Sequence, residues 1–264
     1  MSGSREYQTD AIIIKKIKLA EADRILTLYT TNFGKVEAVA KGVRRPNSKM
    51  SGHLELLTFS QVRLARGRNL DTIIGAQTID SMMALKNDLW LTSYGLYACE
   101  LINQFTVSHN ANPPLFQLFL ETLRYIASAT NTELALRYFE LHLFDKSGYR
   151  PQLQECVNCK NELKPEINSF CSHSGGILCP TCAPDYTNHF PISIDALKIL
   201  RLFQRSNFEI VKRLKINQDL AQELKSILGN YIRYIIEREV KSSTWLDNLR
   251  DKINEAIKIE NKVN

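Results

Sequence analysis

Residues 7–80 alternate short apolar runs with turn residues. Asn32-Phe33-Gly34 and Gly67-Arg68-Asn69 are typical of hairpin connections. Five short strands at this spacing predict a small barrel of the OB-fold class over residues 1–81. The runs are rich in the Ile, Leu, Val and Thr residues that favour strands, and they read AIIIKKI, RILTLYT, KVEAVAKG, LLTFSQVRLA and LDTIIGAQTI.

The hydrophobic period changes after Met83, where apolar residues recur at helical spacing. The pattern stops at HNANPP, and Pro113 is suited to open the next helix. A further periodic run follows, with Asn131 or Thr132 as its cap and Gly148 as its end. We therefore predict the first part of a helical domain over residues 82–148.

Residues 149–190 break this pattern, because they hold five of the six cysteines and four of the eight prolines. The helical period then resumes over residues 191–246. The sequence predicts an α+β multi-domain chain in which a small module is inserted into a helical domain. The polar tail, residues 247–264, has apolar residues every four positions; it predicts a solvated or frayed helix, with a partner-binding helix as the alternative.

Two C-x2-C pairs lie within the inserted module, Cys156 with Cys159 and Cys179 with Cys182, and nineteen residues separate the pairs. Two tight turns that each offer two thiolates can complete a tetrahedron around Zn²⁺. Four thiolates leave no open coordination position, so we predict one structural zinc ion. Cys171 lies between the pairs and is an alternative ligand.

His173 is a second alternative ligand, also between the pairs. Cys99 lies in an apolar helical stretch and is interpreted as a small core residue. His53-Leu54-Glu55 is only a partial match to the zinc deaminase signature, because Leu178 stands where that signature has proline. Glu21 and Asp23 lie between two predicted strands and are interpreted as turn residues rather than an acid–base pair.

The length of 264 residues and the 44% hydrophobic content allow a substantial buried core. The sequence has neither an apolar stretch long enough to cross a membrane nor the apolar core of a signal peptide. We expect a soluble cytosolic protein without membrane association. In a reducing compartment its cysteines are free thiols or metal ligands.

Positive charge is concentrated in the predicted barrel. Residues 35–68 contain eight basic and two acidic side chains, and this surplus of six equals the net charge of +6 of the whole chain. The densest part is KGVRRPNSK, residues 41–49, which we call the basic loop. A solvated loop is the simple interpretation, but small barrels of this class commonly bind oligonucleotides through their loops. We predict DNA phosphate contacts from Lys35, Lys41, Arg44, Arg45, Lys49, Arg63, Arg66 and Arg68.

The chain resembles the RecO family of bacterial DNA repair proteins from about Tyr7 to Trp245. The resemblance is carried by EADRILTLYTTNFGKVEAVAKGVRRPNS in the barrel, and by GYRPQLQECVNCK and GGILCPTC around the cysteine pairs. It implies an N-terminal OB-fold, a helical domain and a four-cysteine zinc module. The tail after Trp245 matches nothing in the family pattern.

The resemblance also implies a function. RecO proteins are recombination mediators rather than enzymes; they bind single- and double-stranded DNA and anneal complementary strands. They work with RecR and single-stranded-DNA-binding protein so that RecA can load on DNA, in the bacterial cytoplasm at the nucleoid. The resemblance places the site for single-stranded-DNA-binding protein in the helical domain, without assigning residues.

Two other functions remain open from the residues alone. A zinc-dependent enzyme acting on nucleic acid would need an open metal position or a carboxylate beside the zinc. A zinc-ribbon protein that binds RNA would carry the same charge pattern.

Overall fold

The computed structural model describes residues 5–128, 131–237, 240 and 242. Within these residues, contacts form two compact units, residues 5–128 with 240 and 242, and residues 131–237. The predicted tail lies outside the described residues. The five-part domain division made from the sequence stays a prediction.

The first unit begins with a five-stranded sheet, so the five predicted strands are confirmed. A short 3₁₀ helix, Gly52–Leu54, lies in the connection between the third and fourth strands. The strands are β1 Glu6–Lys18, β2 Arg24–Thr30, β3 Gly34–Ala40, β4 Phe59–Ala65 and β5 Asp71–Asp80, and the helices after them are α1 Met83–Lys86, α2 Leu89–Phe105 and α3 Pro113–Ser128.

The strand order is β1-β2-β3-β5-β4, and β4 pairs with β1 so that the sheet closes as a barrel. The sheet is mixed, because β3 and β5 run parallel while the other neighbours are antiparallel. The parallel pairing joins only Ala38 with Asp71 and Val39 with Thr72.

Alternating residues of the strands fill the barrel interior, as the two-residue period of a strand requires. The connection over residues 41–58 also contributes to this core, because it buries Val43 and Leu54. The basic loop is therefore anchored to the barrel core by the buried side chain of Val43. The buried interior residues are Ala11, Ile13, Leu26, Leu28, Val36, Ala38, Ala40, Val43, Leu54, Val62, Leu64 and Ile73.

Helix α3 packs on the outside of the barrel through aromatic side chains. The ring of Tyr29 lies 6.0 Å from that of Phe116 and 6.2 Å from that of Phe119, and the ring of Phe59 lies 5.9 Å from Phe116. Tyr29 is fully buried by this contact. Tyr29 and Phe59 are therefore core residues rather than stacking platforms for a ligand.

β1 begins at Glu6, five residues before the predicted run, and the end of β3 and the start of β4 differ from the sequence expectation for backbone reasons. β3 stops at Ala40 because Gly42 takes a positive φ of 63° and starts a turn. β4 begins at Phe59 rather than Leu56 because Leu57 has a φ of 65°, which is incompatible with an extended strand. A hydrophobic pattern cannot predict a positive φ at a leucine, so the sequence placed the start of β4 too early.

Gly34 opens β3 with a φ of 64°, and a Cβ atom added there would overlap the backbone carbonyl of Asn110. Gly34→Ala is expected to destabilise the protein by about 2 kcal/mol or more, since the left-handed backbone alone costs an L-residue about 1–2 kcal/mol. Urea unfolding followed by circular dichroism measures the change. Gly52→Ala is the matched control, because a Cβ at Gly52 meets no atom within 4 Å; equal midpoints for the two variants would contradict this account.

The second unit contains helices on both sides of the cysteine-rich segment. Asn131 caps its first helix by accepting a hydrogen bond from the Leu134 amide at 3.4 Å, so the predicted cap is confirmed. The elements are α4 Thr132–Lys146, β6 Asn168–Cys171, β7 Gly176–Leu178, β8 His189–Ile192, α5 Ile194–Arg205, α6 Glu209–Arg213 and α7 Gln218–Ile236, with a 3₁₀ helix at Ala183–Asp185.

Aromatic contacts join α4 to the helices that follow the cysteine-rich segment. The ring of Tyr138 lies 5.5 Å from that of Phe203 in α5, and the ring of Phe144 lies 4.9 Å from that of Tyr231 in α7. The helices before and after the segment therefore share one core. Between them, β6 is the central strand of a three-stranded sheet in the order β7-β6-β8.

Candidate metal centre and nucleic-acid interface

The four paired cysteines come together in the second unit. The sulfur atoms of Cys156, Cys159, Cys179 and Cys182 all lie within 4.8 Å of one another, and the Cys159 and Cys179 sulfurs are 3.9 Å apart. Four sulfurs at about 2.3 Å from a zinc ion form a tetrahedron with edges of about 3.8 Å. The cluster therefore has the donor set and the spacing to hold a metal ion.

Tight backbone turns hold each cysteine pair. The Lys160 amide donates to the Cys156 carbonyl at 3.0 Å, and the Cys182 amide donates to the Cys179 carbonyl at 3.0 Å. The Cys179 amide also points at the Cys156 sulfur, 3.4 Å away, which joins the two turns. The first two contacts lie within the local turns, which the two-residue spacing could predict, whereas the third joins residues 23 positions apart.

The surroundings of the cluster favour the thiolate form of Cys156 and oppose ionisation of Cys182. Burial alone would raise the pKa of Cys156, but hydrogen bonds from the backbone of Cys179, Cys159 and Asn158 lower that pKa to about 6. The Asn158 side chain lowers the pKa of Cys182, yet the neighbouring thiols raise it to about 11. Four adjacent thiols cannot all ionise without a positive charge between them, and a divalent metal supplies that charge.

The two alternative ligands have other partners. The Cys171 sulfur lies 3.5 Å from the Ser174 hydroxyl, and His173 Nδ1 lies 3.0 Å from the Tyr234 hydroxyl. Among the described residues, the cluster that can hold a metal consists of the four paired cysteines. Cys99 is buried in α2, where desolvation raises the pKa of its thiol.

The basic loop leaves β3 at one end of the barrel and is held in place there. The Arg44 amide donates to the Ala22 carbonyl at 3.0 Å, and the Arg44 guanidinium donates to the Glu21 carbonyl at 2.8 Å. Asp23 accepts a hydrogen bond from the Gly42 amide at 2.7 Å, so this acid supports the loop. Four cationic side chains of the loop are exposed, those of Lys41, Arg44, Arg45 and Lys49.

Lys35 differs from the other predicted phosphate ligands. Its ammonium donates to the Asn103 carbonyl near the end of α2 at 2.6 Å, and the side chain is half-buried. Burial lowers the pKa of Lys35, while Glu37 acts in the opposite direction. The ammonium is thus already engaged in joining β3 to α2.

The second set of predicted cations lies on β4 and on the loop that follows it. Arg63, Arg66 and Arg68 are exposed. The Arg66 guanidinium lies 4.9 Å from the centre of the Tyr7 ring, and the rings of Tyr7 and Phe33 are 4.6 Å apart. Because β5 lies between β3 and β4 in the sheet, Arg63 is separated from β3 by one intervening strand.

This Arg66–Tyr7–Phe33 cluster was missed as a unit in the sequence, where the three residues lie far apart. The Tyr7 hydroxyl donates to the Asp71 carboxylate, which fixes the ring. Both aromatic side chains are partly exposed. The cluster therefore forms an aromatic patch beside a cation on the barrel surface. The pairing of β1 with β4, which joins Tyr7 with Leu64, brings Arg66 to Tyr7, and the pairing of β1 with β2 brings Phe33 to the same ring.

The residues of the partial deaminase signature are used structurally. The Thr78 amide donates to His53 Nδ1 at 3.2 Å, and the Glu55 carboxylate pairs with Lys16 and lies 3.9 Å from Arg24. These contacts hold the connection before β4. Within the part of the chain that the structure describes, neither residue belongs to a cluster that could hold a metal.

Two family models match the chain. The model for the recombination protein O N terminal covers residues 1–82, and the model for the recombination protein O C terminal covers residues 86–244. The chain belongs to the RecO family. The resemblance seen in the sequence is thereby confirmed, and the match spans both the barrel and the cysteine cluster.

Curated RecO proteins are similar along most of the chain. The DNA repair protein RecO of Dehalococcoides mccartyi strain BAV1 is 44% identical over 250 residues, which are 95% of this chain and 98% of that protein. The DNA repair protein RecO of Roseiflexus sp. strain RS-1 is 38% identical over 249 residues, 94% of this chain and 88% of that protein. RecO is a family of DNA repair proteins and not of known enzymes.

No helix among the described residues is both long and apolar enough to cross a membrane.

Proposed function

We propose that this chain is a DNA-binding recombination mediator in recombinational DNA repair, acting without covalent chemistry. Membership of the RecO family carries the proposal, because curated DNA repair proteins match the chain over 95% of its length. The exposed cations of the basic loop support it, since they can neutralise phosphates.

The barrel acts as an OB-fold that holds DNA through its backbone. Arg44 and Arg45 supply forked donors suited to phosphate oxygens, and Lys41 and Lys49 supply point charges beside them. Lys35 is the weakest member of the predicted set, because it is half-buried and its ammonium already donates to Asn103, whereas Arg44 is exposed and donates to the backbone through one guanidinium nitrogen. Arg63, Arg66 and Arg68 extend the cationic surface, with Tyr7 and Phe33 as partly exposed aromatic neighbours.

Such contacts are largely indifferent to base sequence, so the same surface binds single- and double-stranded DNA. Phosphate contacts leave the bases of a bound strand available to pair. A cationic surface also screens the repulsion between two strands, which lowers the barrier to annealing. Annealing of complementary strands follows from these two properties.

The helical domain supplies a second site, for single-stranded-DNA-binding protein. A tether of this kind raises the local concentration of the mediator at covered DNA. Together with RecR, the protein then helps RecA to load on that DNA, in the bacterial cytoplasm at the nucleoid.

The four-cysteine cluster holds one structural zinc ion in a module over residues 149–190. Cys156, Cys159, Cys179 and Cys182 are its ligands, and their closed set of four sulfurs suits a folding role. The barrel over residues 1–81 is the DNA-binding domain, and the helical domain comprises residues 82–148 and 191–246.

An annealing assay tests the proposal directly. The purified protein is expected to speed annealing of complementary strands, both naked and covered by single-stranded-DNA-binding protein. The rate should fall as salt rises, because the phosphate contacts are electrostatic. The reaction should need no nucleotide and should leave every strand intact on a denaturing gel.

Two outcomes would contradict the proposal. The first is failure to anneal even naked strands under conditions where DNA is bound. The second is strand cleavage or deamination that disappears in a zinc-ligand variant, which would favour a zinc-dependent enzyme acting on nucleic acid.

A further inference from the structure

A cavity of about 780 Å³ lies in the second unit, and one side of it is formed by Asp185 and Tyr186, which follow the second cysteine pair. It is bordered by the turn between β6 and β7, by residues 185–190 and by the last turns of α7. Its volume falls within the range of small-ligand sites, about 300–1,000 Å³. Nothing in the proposed action of the barrel or of the metal uses this cavity.

Two large aromatic side chains line the cavity and remain exposed. Phe190 in β8 is 39% exposed, and Tyr234 in α7 is 47% exposed. The Tyr234 hydroxyl lies 3.0 Å from His173 Nδ1, and the two rings meet edge to face at 88°. Tyr234 is therefore held in one orientation although it is not part of the core.

Polar groups accompany the aromatic rings. Ser172 is 7% exposed, and its buried hydroxyl has no hydrogen-bond partner within the described residues. That hydroxyl is itself shielded from solvent, so the polar groups that a ligand can reach are those of the exposed lining residues. Asn188 adds an amide that can both donate and accept.

One cation stands at the same cavity. Arg233 is exposed, and its guanidinium donates to the side-chain amide of Asn230, which orients it. A single guanidinium can bind one phosphate group, and an aromatic ring beside it can stack on the base of the same nucleotide. The lining also contains one acid, Asp185, so the cavity lacks the dense positive charge of a surface that tracks many phosphates.

We infer that this cavity holds an unpaired nucleobase of single-stranded DNA, stacked on Tyr234 or Phe190, with Arg233 on the adjoining phosphate. The inference rests on the proposed function and adds a second DNA contact outside the barrel. Each base has a π-face that can stack on an aromatic ring, and its edges can pair with the exposed Asn188 amide. Bases within a duplex are already stacked and paired, so the site selects single strands.

Photocrosslinking of the full-length protein tests the inference. The probe is a single-stranded oligonucleotide that carries 5-iodouracil, and mass spectrometry locates the crosslinked peptides. We expect crosslinks at Tyr234 or Phe190 in addition to the barrel. Crosslinks confined to the barrel would overturn the inference while leaving the proposed function intact, whereas absence of any DNA binding would overturn both.

An affinity comparison gives a second readout. Tyr234→Leu should bind a short thymidine oligonucleotide about tenfold more weakly than the wild type, because it loses a stacking face. The same variant should bind an abasic strand of equal length as the wild type does. Tyr234→Phe is the matched control, since it keeps the ring and loses only the hydroxyl contact with His173.

Tyr234→Phe should therefore retain most of the affinity. Equal affinity losses of Tyr234→Leu for abasic and base-containing strands would overturn the inference and leave the cavity to a protein partner. Unchanged affinity of Tyr234→Leu for the thymidine oligonucleotide would overturn it as well.

Discussion

Cys182→Ser is expected to lose most of the bound zinc and to unfold the cysteine-rich module. Cys182 is almost fully buried, and its sulfur belongs to the cluster whose members lie within 4.8 Å of one another. Structural zinc binding in small modules corresponds to about 10–16 kcal/mol of apparent free energy. Loss of even part of this exceeds the effect of most single substitutions. Metal analysis by plasma mass spectrometry and limited proteolysis of residues 149–190 measure the two effects.

Cys171→Ser is the matched control for this prediction. Cys171 is also buried in the same module, but its sulfur lies beside Ser174 and outside the cluster. This variant should keep one zinc ion per chain. Zinc lost from Cys171→Ser but retained in Cys182→Ser would refute the ligand assignment.

Replacing Arg44 and Arg45 together by alanine is expected to weaken DNA binding about 25-fold at 0.1 M salt. Each phosphate contact to a single strand contributes about 0.7 to the slope of log K against log[salt], so two lost contacts should make that slope shallower by about 1.4. The effect should be nearly the same for different base sequences. Fluorescence anisotropy with a labelled oligonucleotide across a salt series measures both quantities.

The control must remove the same charge elsewhere. Lys198→Ala with Lys212→Ala removes two exposed cations from α5 and α6, where each lysine pairs with a nearby acid, Asp195 or Glu209. This control should keep the wild-type salt slope. If the Arg44 and Arg45 variant is folded and its slope is unchanged, the basic loop is a solvated loop and not a DNA contact.

The sequence predicted those parts of the fold that depend on local pattern. The alternation of buried and outward residues in β3, and the Asn131 cap of α4, are readable within a few positions. The cysteine cluster was predictable for the same reason, because each half is a turn of four residues. The mixed character of the sheet could not be predicted from local pattern, because the parallel pairing of β3 with β5 joins residues far apart in the chain.

The candidate DNA surface shows the limit of a charge count. Lys35 counts as a cation in the sequence, yet it donates to a carbonyl 68 residues away. Arg66 and Tyr7 likewise meet only because β1 pairs with β4. A local pattern gives the number of charges, whereas long-range pairing decides which of them face solvent.

The attachment of the basic loop affects the thermodynamics of ligand binding. Val43 is buried in the barrel core between Lys41 and Arg44, and the loop backbone is hydrogen-bonded to Ala22 and Asp23. The chain entropy of this segment is therefore lost when the barrel folds and not when a ligand arrives. Association at the basic loop should then lack the large negative heat-capacity change that accompanies coupled folding and binding. The enthalpy of DNA binding at the basic loop should come from exchange of ions and water at the phosphates and not from ordering of the loop.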